Sequence, residues 1–217
     1  MGSATLRPKP IAMNGRKIFC LSLVSVAMLV SCSIGSSDPA EPKEMTEEQL
    51  IKHGEYLTTI MDCNTCHSPK IMTEKGPMPD PNRMLSGHPG DSPLDLSGFD
   101  LSKTPLGPWI FAHGDFTAYA GPWGISYGAN ITPDITGIGN FTLENFHMAF
   151  QKGKFHGSAD GRDLLPPMPW QNFSRLPADD VKAIFTYLTK KVQPVSNVPP
   201  SPSPPMIGTA AGSPSGT

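Results

Sequence analysis

"CNTCH", residues Cys63 to His67, places two thiols and an imidazole within five consecutive positions. Three chemistries use such a set: metal binding, dithiol–disulfide exchange and covalent attachment of a haem. The rest of the chain separates them. A structural zinc site wants four ligands, commonly from two pairs at fixed spacing. Here there is one pair, with His67 directly behind Cys66. A thioredoxin-like dithiol expects a βαβ setting, and no such pattern surrounds Cys63 and Cys66. The third reading needs nothing added, because C-x-x-C-H is the attachment signature of a c-type haem. Thiols three residues apart on one helical turn face the same way. They come within reach of the two vinyl groups of a porphyrin, and the next residue turns its imidazole toward the iron.

The other cysteines lie upstream. Residues 14–32 read "NGRKIFCLSLVSVAMLVSC". Arg16 and Lys17 precede an apolar run from Ile18 to Val30. That run is too short for a bilayer-spanning helix, which needs about 20 residues, and has the layout of an export signal. Cys20 falls inside it. The run ends in Leu29-Val30-Ser31-Cys32, which resembles the lipobox of bacterial lipoproteins and implies cleavage before Cys32 and lipidation of its thiol. The mature protein is then expected to be a lipoprotein anchored to a membrane and facing the periplasm or cell exterior. Cys63 and Cys66 are left as the thiols of the folded part, with no disulfide framework although disulfides persist in exported proteins.

Composition agrees with a loop-rich domain. Among 217 residues there are 25 prolines and 21 glycines, while charged residues make up 17%. The net charge of −2 conceals an asymmetry, because Arg7, Lys9, Arg16 and Lys17 all precede Cys32 and no acid does. The remainder is acidic. It lacks the basic footprint of a nucleic-acid binder and suits basic partner surfaces through steering.

Four segments follow: a leader at 1–31, a flexible tether at 32–45, a folded domain at 46–193 and a Pro/Ser/Gly-rich solvated tail at 194–217. Within the domain, Thr46 and Gln49 form a capping-box pattern. Leu50, Leu57, Ile60 and Met61 then recur at helical spacing, with Gly54 on the same stripe. A glycine inside a helix costs about 1 kcal/mol against alanine, which is explained if another helix crosses closely there. Prolines break every candidate element between 68 and 108, and this stretch is expected to be a long structured loop. Trp109–His113 and Phe116–Ala120 form a candidate β-hairpin about Gly114-Asp115. Thr142 opens a second helix with an apolar face of Leu143, Phe146 and Phe150, closed by Gly153. A third starts near Pro177 and carries Val181, Ile184, Phe185 and Leu188.

Across 46–193 the chain resembles the bacterial cytochrome c family, class I-like, and in particular the single-haem domains of dehydrogenase cytochrome subunits. The resemblance rests on "GEYLTTIMDCNTCHSPK", "GPMPDPNRMLSGHP", "ANITPDITGIG" and "LLPPMPWQNFSRLPADDVKAIFTYLTKK". It implies an all-α, cytochrome c-like fold, loop-rich, with first and last helices packed crosswise and Gly54 opposite Phe185, Tyr187 or Leu188. It implies one covalently bound haem c on Cys63 and Cys66, with His67 as one axial ligand of the iron. The candidates for the other are Met72, Met78, Met84, Met148, Met168, His88, His113, His147 and His156. Met168, in "PPMPW" before the final helix, occupies the place of the family's methionine ligand. Pro166, Pro167 and Pro169 stiffen the backbone about it, and Trp170 is positioned to cover the haem edge. By the same resemblance, the carbonyl of Pro77 is expected to accept the second ring N–H of His67.

An iron with both axial positions filled has no open site for substrate and exchanges single electrons. The expected role is that of a membrane-tethered electron carrier, not an enzyme. Its redox partners would be a dehydrogenase or quinol-oxidising complex and a terminal oxidase. The alternative is a haem enzyme or small-ligand sensor, in which the position opposite His67 is open or displaceable.

Overall fold

A computed structural model describes residues 44–92, 94 and 109–202. The expected leader, most of the tether and Cys32 lie outside the described residues, as does the end of the tail. Among the described residues no helix is long and apolar enough to cross a membrane.

The first helix, α1 (Glu47–Ile60), begins where its capping box predicts. The Thr46 hydroxyl accepts from the Gln49 N–H at 3.3 Å, and the Gln49 side chain accepts from the Thr46 N–H at 2.9 Å. Two amides that helix geometry leaves without partners are thereby satisfied. Leu50, Gly54 and Leu57 are buried. Ile60, expected on the same stripe, is 58% exposed. A helix turns about 100° per residue, so Met61 continues the line from Leu50 through Leu57 and Ile60 falls off it.

The last helix, α5 (Ala178–Lys190), packs across α1 and buries Val181, Ala183, Ile184 and Leu188. The crossing is set at Gly54, where an added Cβ would lie 2.1 Å from the Ala183 carbonyl oxygen and 2.7 Å from Tyr187 Cβ. Close helix approach therefore explains the glycine, with Ala183 and Tyr187 opposite it. His53 Nε2 also meets Asp180 Oδ1 at 2.7 Å between the same two helices.

Past the one-turn helix α2 (Cys63–His67), the next long helix is α3 (Leu143–Lys152). Thr142 and Asn145 form its capping box and Gly153 ends it at φ 66°. Phe146 and Phe150 are buried and stack at 5.1 Å, while Leu143 is 40% exposed. Phe150 stacks at 4.8 Å on Phe173 of a short helix, α4 (Trp170–Phe173). These residues join Leu57, Leu85, Ile138, Val181, Ile184 and Leu188 in one core. A 3-10 turn at Phe155–Gly157 follows α3.

Two small sheets stand beside the helices, so the expectation of an all-α fold with one small β-hairpin insertion is widened to a helical domain with two β insertions. One is a hairpin, β1 (Lys70–Thr73) with β2 (Gly76–Pro79), inside the stretch expected to lack strands. The other has three strands, β3 (Phe111–Ala112), β4 (Ala118–Gly121) and β5 (Gly124–Tyr127), in that order. The hairpin expected at 109–120 is present in shortened form, with Phe111 opposite Ala120 and Ala112 opposite Tyr119. Its turn is fixed by Asp115, whose carboxylate accepts from the Thr117 amide and hydroxyl.

The start of the tail is also corrected. Asn197 is 8% exposed. Its Nδ2 donates to the carbonyls of Ser86 at 2.6 Å and His88 at 2.9 Å, and its Oδ1 accepts from the Gly90 amide. Buried Asn130 donates to the carbonyls of Val195 and Asn197. The packed domain therefore runs at least to Asn197. Composition marks this stretch as solvated, but one asparagine side chain replaces the water its neighbours' backbone would otherwise need.

Two outcomes test this packing. Gly54→Ala is expected to lower unfolding stability by about 1–3 kcal/mol, because the added methyl meets backbone that cannot yield. Asn197→Ala leaves buried carbonyls without donors and is expected to cost about 1–3 kcal/mol. Both are read from denaturant midpoints of the full chain.

Candidate haem-binding site

The turn that carries the chemistry is α2 itself. Asp62 opens it in the left-handed region at φ 54°, and the Thr65 hydroxyl donates to the Asp62 carboxylate at 2.6 Å. Cys63 and Cys66 are both free thiols and half-buried. Cys63 packs against the edge of the core, and Cys66 Sγ lies 3.1 Å from the Tyr119 hydroxyl on β4. Burial pushes the Cys63 thiol up to about 11. Dithiol catalysts instead have a cysteine held below its ordinary value so that thiolate forms at neutral pH. Cys63 lacks that property. Tyr119 is also held well above the ordinary phenol range by burial, so its hydroxyl stays protonated beside the sulfur.

His67 is oriented by backbone. Its Nδ1 lies 2.7 Å from the carbonyl oxygen of Ala129, which can only accept, so Nδ1 carries the proton and Nε2 keeps its lone pair. Burial lowers the pKa of the ring from its ordinary value, which favours the neutral, ligating form. The expected acceptor, Pro77, stands instead in β2, paired with Met72 in the hairpin. The ring of His67 is met instead by the Ala129 carbonyl, just past β5.

Surrounding loops lock the turn. Ser68 is fully buried; its hydroxyl donates to Asn64 at 2.7 Å and accepts from the Leu85 amide at 2.8 Å. That bond supports Leu85 at φ 61°, a costly conformation for a branched side chain. The Gly87 amide donates to the His67 carbonyl at 2.7 Å. A Cβ on Gly128 would lie 2.0 Å from the Cys66 carbonyl oxygen, so a glycine is required where the chain just past Tyr127 crosses α2. The Lys70 ammonium donates to the carbonyls of Asn64 at 3.0 Å, Thr65 at 2.9 Å and Ser68. It thus satisfies carbonyls that the end of a helix leaves open.

The candidates for the second axial position separate by burial and engagement. Met72 is 80% and Met78 47% exposed on the β1–β2 hairpin. His88 is buried with Nδ1 at 2.7 Å from Thr117 and Nε2 at 3.2 Å from the Ser92 carbonyl, so neither nitrogen is spare. His113 is paired with Asp115, and His156 is exposed against Phe155. Met84, Met148 and His147 are half-buried, the last two on α3. Met168 is half-buried and packs on the same core cluster as Cys63. Trp170 opens α4 and lies against Gly153, where a Cβ would come within 2.5 Å of its indole. Its role here is a contact with the end of α3.

Sequence reasoning missed Lys70, Tyr119 and Ala129. Ala129 does open the quoted stretch "ANITPDITGIG", but a carbonyl acceptor has no side-chain signature. Among the described residues no three His, Cys, Asp or Glu side chains converge as a metal cage. The donor set fits a haem: two free thiols beside a neutral imidazole with a free Nε2, and a thioether on the same core.

No family model matches the chain. It is 30% identical over 175 residues to the cytochrome c subunit of the quinone alcohol dehydrogenase of Gluconobacter oxydans, covering 80% of this chain and 27% of that subunit. It is 29% identical over 191 residues to the fructose dehydrogenase cytochrome subunit of Gluconobacter japonicus, covering 87% of this chain and 30% of that one. It is 31% identical over 155 residues to the gluconate 2-dehydrogenase cytochrome c subunit of Pantoea cypripedii, covering 70% and 26%. The chain thus spans less than a third of the length of these relatives. Cytochrome c subunits of dehydrogenases, at about 30% identity, are its relatives, and with the geometry of α2 they support a c-type cytochrome.

Proposed function

We propose that the chain is a single-haem c-type cytochrome that carries electrons one at a time in partnership with a dehydrogenase. It is held at a membrane by lipid on Cys32, on the periplasmic or outer side. The observation that carries the reading is the His67–Ala129 contact beside two free thiols. That arrangement presents Nε2 of a neutral imidazole immediately behind a pair of vinyl-reactive groups. The relatives' names add a dehydrogenase as the partner class. A terminal oxidase is the acceptor class that completes the path.

Haem, when bound, supplies a one-electron iron couple. Everything else is done by the chain. Cys63 and Cys66 would hold the group covalently through their thiols. His67 would hold the iron through Nε2, kept in a single orientation by Ala129. Met168 would hold it through its thioether, and methionine ligation raises the reduction potential. The core residues around Cys63 and Met168 exclude water, which acts in the same direction. With both axial positions filled the chain has no place for substrate, and its work is transfer between partners. A lipid anchor keeps it near them at high effective concentration.

Protein matured in a host that attaches haem is expected to gain one porphyrin by intact mass, and Cys63→Ser with Cys66→Ser to gain none. An unmodified wild-type mass would end the proposal. The oxidised protein is expected to have the weak red charge-transfer band of sulfur–iron bonding. Met168→Ala is expected to lose it, and persistence of the band would assign the ligand elsewhere.

A further inference from the structure

The three-stranded sheet is larger than attachment of a haem at α2 requires, and its strands explain its presence. Tyr119 on β4 and Ser126 on β5 are direct cross-strand partners. Residues directly opposite in an antiparallel pair project from the same face of the sheet. From that face Tyr119 reaches Cys66 Sγ at 3.1 Å. The neighbouring Ser126 hydroxyl donates to the carbonyl of Pro166 at 2.6 Å, two residues before Met168. Ser126 is 7% exposed, and its oxygen accepts from Trp123 Nε1 at 3.2 Å. Trp123 is in turn folded back over Gly121, where a Cβ would come within 2.5 Å of its ring. One sheet face therefore touches the thiol turn and the methionine loop together.

We infer that Ser126, seated by Trp123, is a positioning residue for Met168, and that the β4–β5 pair acts as a bracket setting the separation of the two ligand-bearing segments. The inference rests on Met168 as the second axial ligand. Proline neighbours stiffen the loop internally but do not tie it to the rest of the domain, since Pro167 and Pro169 have no amide hydrogen to donate. The Pro166 carbonyl, held by a buried hydroxyl, is such a tie. Without it the thioether returns to the iron less often, and a competing ligand gains access.

The test is an imidazole titration of the oxidised, haem-loaded full chain, following loss of the red charge-transfer band. Ser126→Ala is expected to bind imidazole roughly two- to tenfold more tightly than wild type, the effect of one hydrogen bond. Trp123→Phe keeps an aromatic side chain but removes the N–H, and is expected to shift affinity in the same direction by less. A folded Ser126→Ala protein with wild-type imidazole affinity overturns the inference. If that variant does not fold, unchanged affinity in Trp123→Phe overturns it. Met168→Ala separates the two levels: if it keeps the band, the assignment of Met168 has failed. If it loses the band while Ser126→Ala matches wild type, only the positioning role has failed.

Discussion

A helix of five residues cannot hold itself. Nucleation fixes several dihedral angles for a single hydrogen bond, and isolated helices several times longer are marginal in water. Yet α2 must present Cys63, Cys66 and His67 in one fixed arrangement. The surrounding structure supplies that rigidity: Asp62 and Thr65 at its start, Ser68 and Lys70 at its end, Gly128 against its side. The contacts come from segments far apart in sequence. The α1–α5 crossing at Gly54 holds the helical frame on which they converge, because α1 leads into α2 and shares its core with α5.

The polar bonds that tie this site do what a larger core would do elsewhere. Twelve apolar residues are buried among those described, a small set for a domain that orders long irregular segments. Asn130 and Asn197 compensate. Asn130 accepts from Thr132 and donates to Thr136, Val195 and Asn197, and Asn197 passes the connection on to Ser86, His88 and Gly90. Each bond contributes about 1 kcal/mol net, but leaving any of these buried groups unpaired costs more. The network is therefore cooperative, and its value is positional: Asn130 adjoins Ala129, whose carbonyl orients His67.

What the sequence discloses follows from whether a feature is written in side chains. Helices α1 and α3 were legible from caps as well as apolar spacing, Thr46 with Gln49 and Thr142 with Gly153, and α5 from the spacing of Val181, Ile184 and Leu188. The C-x-x-C-H turn was legible because its spacing is chemical. The β1–β2 hairpin was not, since Pro77 and Pro79 look like breakers. In a two-stranded sheet every strand has a free edge, and a missing N–H on that side costs little. The packed start of the tail was hidden because its anchor is a single asparagine in a stretch of prolines. The second axial candidate could be chosen by resemblance to the family's methionine position, but the hydroxyl that ties its loop down sits 40 residues away.

The loop-rich composition has its own chemical use at this site. In a helix or a sheet interior nearly every carbonyl is already taken by the backbone ladder. A histidine whose ring must be held by a carbonyl needs one that regular structure has left over. Ala129 has such a carbonyl because the chain leaves β5 after Tyr127 and forms no further regular element until Leu143. Gly128 lets that stretch lie directly on Cys66, and Asn130 fixes the far side of the same peptide. Replacing the irregular segment with a regular one would enlarge the fold's ladder and remove the acceptor. The glycines and prolines that dilute the apolar core are thus part of how the imidazole is aimed, and an ideal all-helical version of this domain would lack the oxygen that holds Nδ1 of His67 and leaves its Nε2 free.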